Sequence, residues 1–146
     1  MEIKPTYVTF EQAKWLKEKG FKYYCQTSYW NNKLTYHTPG YPLENGETSQ
    51  ENYYDFPRYY APEQWQVVEW LRVKKGIWVH VYYLTDRKCW GWDCYKYLED
   101  GLLNDPAFSF NMNLQSPQEA YSSAFDFLLN YYANLMQADS VNKAIN

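Results

Sequence analysis

Two histidines and three cysteines, with scattered carboxylates, are the side chains from which acid–base or covalent chemistry would have to be built here. His37 falls in a loop or strand-edge context and is the better titratable candidate. His80 lies in the middle of the apolar run Ile77–Leu84, where a hydrogen-bonded core histidine is the expected state. Activating a nucleophile needs a base beside it, and neither histidine neighbours a Ser or Cys in a known signature. Cys89 and Cys94 form one close pair, which a hairpin could bring near Cys25 or His80. Structural zinc sites show two such pairs, so buried free thiols and no metal are expected. The six glycines are scattered at turns and caps, with no phosphate-cradling loop among them. Glu63, Glu69, Asp86, Asp93, Glu99 and Asp100 are expected to be solvated surface acids. The inventory leans away from an enzyme, with no catalytic residue assigned and no cofactor expected.

Recognition by aromatic side chains is the chemistry that remains. Aromatics make up 21% of the chain, including seventeen Tyr and seven Trp, in side chains that combine a large apolar body with a polar handle. Tyr53, Tyr54, Phe56, Tyr59 and Tyr60 cluster around Arg58, the composition from which binding hot spots are made. They end an irregular segment, 38–61, that contains Pro39, Gly40, Pro42, Asn45-Gly46 and Pro57. Loops beyond ~12–15 residues without their own structure are uncommon unless functional or disordered. Disordered linkers are poor in aromatics, so this segment should dock, on its own core or on a partner. Trp78, Trp90 or Trp92 lining a pocket would instead suit a small nucleotide or sugar.

Charge narrows the partner. The net charge is −3, and a duplex-binding protein would show a basic stripe instead. Lys14, Lys17 and Lys19, then Arg72, Lys74 and Lys75, each fall in the last turns of an expected helix, where cations complement the dipole. The polar start Met1-Glu2-Ile3-Lys4-Pro5, the odd cysteine count and the lack of an 18-residue apolar run predict a reducing cytoplasm with no membrane span.

Three helices must position these groups. Thr9 with Gln12 forms a capping-box pattern, Phe10, Ala13 and Leu16 share a face, and Gly20 ends the helix. A second helix starts at Pro62, carries Trp65, Val68 and Leu71 inward with Val67 and Trp70 widening the arc, and stops at Gly76. The third has Ser116, Pro117 and Glu119 at its start and the apolar set Tyr121, Ala124, Phe125, Leu128, Tyr132, Leu135 and Met136, to about residue 137. Strands are expected at 21–26, 34–37, 77–84, 90–98 and 108–114, with Thr85-Asp86-Arg87-Lys88 as a hairpin turn. Both faces of 77–84 are largely apolar, which predicts a central strand. The expected architecture is one α+β domain over 1–138 with a frayed tail at 139–146: a small antiparallel sheet, roughly three to five strands, packed against three helices. Trp15-Leu16-Lys17-Glu18-Lys19-Gly20 also echoes Trp70-Leu71-Arg72-Val73-Lys74-Lys75-Gly76, with one residue inserted.

The segments YVTFEQAKWLKEKGF, APEQWQVVEWLRVKKGIWV and SPQEAYSSAFDFLLN cover about a third of the chain, at 7–21, 61–79 and 116–130. They resemble a group of short proteins encoded by phages and prophages of gut Bacteroides-type bacteria, crAss-like phages among them, to which no activity is assigned. The resemblance implies a phage or mobile-element origin and a bacterial host cytoplasm. It carries no functional residues, and 38–60 and 85–106 match no pattern in the group. The resulting expectation is a non-enzymatic, protein-binding accessory protein. Its partner is a host or virion protein, or a second copy in a homo-oligomer, held by Tyr53, Tyr54, Phe56, Arg58, Tyr59 and Tyr60.

Overall fold

Thr9 and Gln12 cap the first helix as their spacing predicts. The Gln12 main-chain N–H donates to the Thr9 hydroxyl at 3.2 Å, and the Thr9 N–H donates to Gln12 Oε1 at 3.0 Å. α1 (Phe10–Glu18) follows, and Gly20 at φ +94° turns the chain out of it. The Phe21 N–H reaches the Leu16 carbonyl at 2.9 Å and the Gly20 N–H reaches that of Lys17 at 3.2 Å, the two bonds of a Schellman ending. Thr9→Ala is expected to lower stability by about 1 kcal/mol, read as a lower midpoint in urea unfolding.

The computed structural model describes residues 3–36, 58–96 and 111–132. The protein is α+β, with three helices and two three-stranded antiparallel sheets among the described residues. The chain forms two units, residues 1–63 and 64–146. Among the described residues, no helix is long and apolar enough to cross a membrane.

In the first unit, β1 (Thr27–Trp30) and β2 (Lys33–Tyr36) form a hairpin through Asn31 and Asn32, at φ 48° and 61°. Two positive φ angles are what a type I′ turn demands, and Asn tolerates them. β3 (Arg58–Tyr60) pairs with the other side of β1, giving the order β2-β1-β3. Phe10 stands edge-on to Tyr29 and to its cross-strand partner Tyr59, 5.7 Å from each ring. Val8, Ala13, Leu16, Phe21, Cys25 and Tyr60 form the core. The expected strand at 21–26 is absent: Lys22, Tyr23 and Tyr24 are exposed in succession, which breaks strand alternation, and the ladder begins at Thr27.

In the second unit, α2 (Gln64–Trp70) is rotated from expectation. Gln64, Val67, Trp70 and Leu71 are buried, whereas Trp65 is 63% exposed. Gln64 turns inward because its Nε2 donates to the Gln118 carbonyl at 3.0 Å, a satisfied polar group that apolar periodicity cannot register. A π-helical turn, Leu71–Lys75, continues the helix to Gly76 at φ 65°, whose N–H bonds the Leu71 carbonyl. This wider turn takes up the extra residue in the echo between the two helix ends.

β4 (Ile77–Leu84) and β5 (Cys89–Lys96) form the expected hairpin, and β6 (Asn111–Leu114) pairs with the far side of β5. The order β4-β5-β6 makes β5 central and β4 an edge strand among the described residues, not the central strand expected. Its two-sided apolar pattern comes largely from Trp78, Tyr82 and Tyr83, amphipathic rings that tolerate partial hydration. α3 (Pro117–Asp126) starts at Ser116, whose hydroxyl accepts from the Glu119 N–H at 3.1 Å. The Glu119 carboxylate reaches back to the Gln115 N–H at 2.8 Å, one residue beyond the usual capping box. A π-helical turn, Phe127–Tyr132, follows. The inner face of β5 meets α3: Trp92 Nε1 donates to Ser123 Oγ at 2.9 Å, and its ring lies 5.6 Å from Phe127. Trp92, Cys94, Ala120, Ala124, Phe125, Leu128 and Leu129 are buried around that contact.

Candidate functional site

Strand alternation puts Trp78, His80 and Tyr82 of β4 on one face, with Tyr95, Asp93 and Gly91 directly opposite on β5. This is the face away from Trp92 and Cys94, and it is only partly covered. Trp78 is 46% exposed, and the side chains of His80 and Asp93 are 58% and 26% exposed. His80 is therefore not the core histidine its apolar neighbours suggest. Both flanking positions on its face are aromatic, and the three stand together in contact with solvent.

Short-range chemistry holds each group in place. His80 Nδ1 lies 3.0 Å from Asp93 Oδ1, and the Tyr95 hydroxyl donates to Asp93 Oδ2 at 2.9 Å. The carboxylate thus orients two side chains at once. In the neutral ring the hydrogen belongs on Nδ1, which leaves Nε2 as an acceptor. The hydrogen bond to Asp93 raises the Tyr95 phenol above its ordinary pKa; burial, then the Asp93 charge, raises Tyr82. Both phenols stay protonated donors at neutral pH.

Two neighbours fix the rings. Tyr82 lies down over Gly91: a Cβ at Gly91 would meet two ring carbons and the hydroxyl of Tyr82 at 3.0–3.1 Å, so any side chain there would have to displace the ring. The His80 and Tyr82 rings are 5.3 Å apart. At the other end, the Arg72 guanidinium stacks 5.3 Å from the Trp78 ring centroid. Arg72 sits in the π-helical turn, and its Nε donates to Glu69 Oε2 at 3.1 Å. That pairing holds the Glu69 carboxyl below its usual range.

The Nδ1 atom of His80 is engaged by the Asp93 carboxylate, which orients the ring. The thiols are free and buried, with Cys25 and Cys94 pushed up to about 12 by burial. Among the described residues, no three His, Cys, Asp or Glu side chains gather as a metal site.

Tyr53, Tyr54 and Phe56, and also His37, fall outside the described residues. Arg58, Tyr59 and Tyr60 form β3. The Arg58 guanidinium is 5.5 Å from the Trp30 ring, and Tyr59 is half-buried between Phe10 and the Lys17 ammonium. Tyr60 is 8% exposed and packs edge-on against Tyr24, with a buried hydroxyl that has no hydrogen-bond partner among the described residues. Burial raises its phenol pKa. Tyr60 thus belongs to the buried core of the first unit. The Trp78–His80–Tyr82 face was missed, although its alternation is visible in the sequence. The missing signal was polarity: Asp93 and Tyr95, at matching positions on the return strand, mark the wet side. No protein-family model, curated protein sequence or solved structure matches this chain.

Proposed function

We propose that this chain is a non-enzymatic accessory protein, acting in a bacterial host cytoplasm, that captures a host or virion protein through aromatic side chains. The observation that carries this is the outer face of β4 and β5, where Trp78, His80, Tyr82 and Tyr95 are oriented by Asp93, Arg72 and Gly91 while remaining accessible. Tyr and Trp beside Arg are the side chains that dominate binding energy at protein interfaces. Rings already held in one position lose little freedom on binding. Phage origin rests on the resemblance of the three helical segments, and a reducing compartment fits three free thiols.

Affinity purification from host cells with the tagged full chain tests the proposal. One protein should be retained by the wild type and lost with Trp78→Ala/His80→Ala/Tyr82→Ala, with unchanged far-UV circular dichroism. Equal retention by the folded variant would remove this face from the account. Small-ligand binding is the second reading, favoured by the half-exposed Trp78 beside the His80–Asp93–Tyr95 hydrogen bonds. Its signature is a tryptophan fluorescence shift on titration with nucleotides or sugars, abolished by Trp78→Phe.

A further inference from the structure

β4 hydrogen-bonds to β5 along one side, and among the described residues its other side has no strand partner. That side presents main-chain N–H and C=O groups along an eight-residue strand. Natural proteins blunt such edges with short strands, bulges, Lys or Pro, because an open edge templates pairing with another chain. Ile77–Leu84, IWVHVYYL, carries no Lys, Pro or Gly, and its register with β5 is unbroken from Ile77–Lys96 to Leu84–Cys89. The other edge strands among the described residues are blunted. β2 has four residues and begins with Lys33, β3 has three and begins with Arg58, and the β5–β6 ladder is irregular between Trp90 and Trp92.

The strand is also complementary to itself. Two copies related by a two-fold axis normal to the sheet pair antiparallel, with residues of the same face opposite one another. A register centred on Val81 sets Val81 against Val81, His80 against Tyr82, Val79 against Tyr83 and Trp78 against Leu84. Aromatic and β-branched residues meet throughout, and no like charges oppose. A register centred on His80 would instead set two imidazoles opposite each other, a repulsive pair whenever both are protonated. We propose that two copies of this chain dimerise through β4, about a two-fold axis at Val81, into one six-stranded antiparallel sheet. This goes beyond partner capture, and it sets two copies of the aromatic face side by side.

Cross-linking and sedimentation test the dimer together. Across an antiparallel pair, Cα atoms lie about 4.5–5.5 Å apart, within disulfide reach. Under mild oxidation, Val81→Cys should therefore migrate at about twice the 17.7 kDa of one chain, and Val79→Cys should not. Wild-type protein should sediment as a dimer, with all β4 amides protected from hydrogen exchange. A free edge would leave alternate amides exchanging fast. A one-chain mass, fast alternate amides, cross-linking by Val79→Cys, or a dimer whose folded Val81→Cys variant fails to cross-link would each overturn the proposal. If Val81→Cys does not fold, wild-type mass and exchange decide. Partner capture can fail with the dimer intact, and the dimer can fail with capture intact.

Discussion

Phe125→Ala is expected to cost about 3–5 kcal/mol, the range for deleting a fully buried aromatic ring from a core. Phe125 is completely buried, with Ala124 behind it and Leu128 and Leu129 in the next turn, also buried. The Tyr121 ring packs beside it, with centroids 6.3 Å apart. Domains are stable by only about 5–15 kcal/mol, so this one change removes a large share. Urea unfolding followed by tryptophan fluorescence measures it through Trp92, which is buried against the same helix. Val73→Ala is the control: it is 58% exposed and should stay within about 0.5 kcal/mol of wild type. Equal effects from the two variants would mean that the α3 core is not the stabilising element described.

Trp78→Ala should weaken partner binding by about 30-fold or more, the affinity equivalent of the roughly 2 kcal/mol that defines a hot spot. The ring is half-exposed before binding, is backed by Arg72, and is flanked on β5 by Tyr95. Truncation removes the contact area and the stacking of the Arg72 guanidinium, which keeps its pairing with Glu69, while the inner face against α3 is untouched. Folding should therefore be retained. Titration calorimetry with the purified partner gives the number, and a Trp78→Ala affinity within about threefold of wild type would show that Trp78 is peripheral.

Much of the fold was legible because local chemistry decided it. Thr9 with Gln12, Gly20, Gly76, Ser116 with Pro117, and the turn from Thr85 to Lys88 each act through neighbours a few residues away, so sequence spacing is sufficient. The failures share a different cause. Gln64 turns inward for a carbonyl 54 residues away, and the exposure of Trp65 follows from that choice. β4 looked central because Trp, Tyr and His score as apolar while tolerating water. The strand at Thr27–Trp30 was hidden because its signal is the Asn31-Asn32 turn rather than hydrophobic alternation. The candidate face was half legible. The alternation Trp78, His80, Tyr82 stands in the sequence, but its wet side is set by Asp93 and Tyr95, whose partnership depends on register.

Oxidative footprinting of the complex tests the central claim most directly. Hydroxyl-radical labelling, read by mass spectrometry with and without the captured partner, reports the accessibility of individual rings. Trp78, Tyr82 and Tyr95 are expected to lose labelling when the partner binds, while Tyr36 and Trp65, which are 66% and 63% exposed, keep theirs. Unchanged labelling of Trp78, Tyr82 and Tyr95 in a saturated complex, with protection at Tyr36, Tyr59 or Trp65 instead, would contradict it.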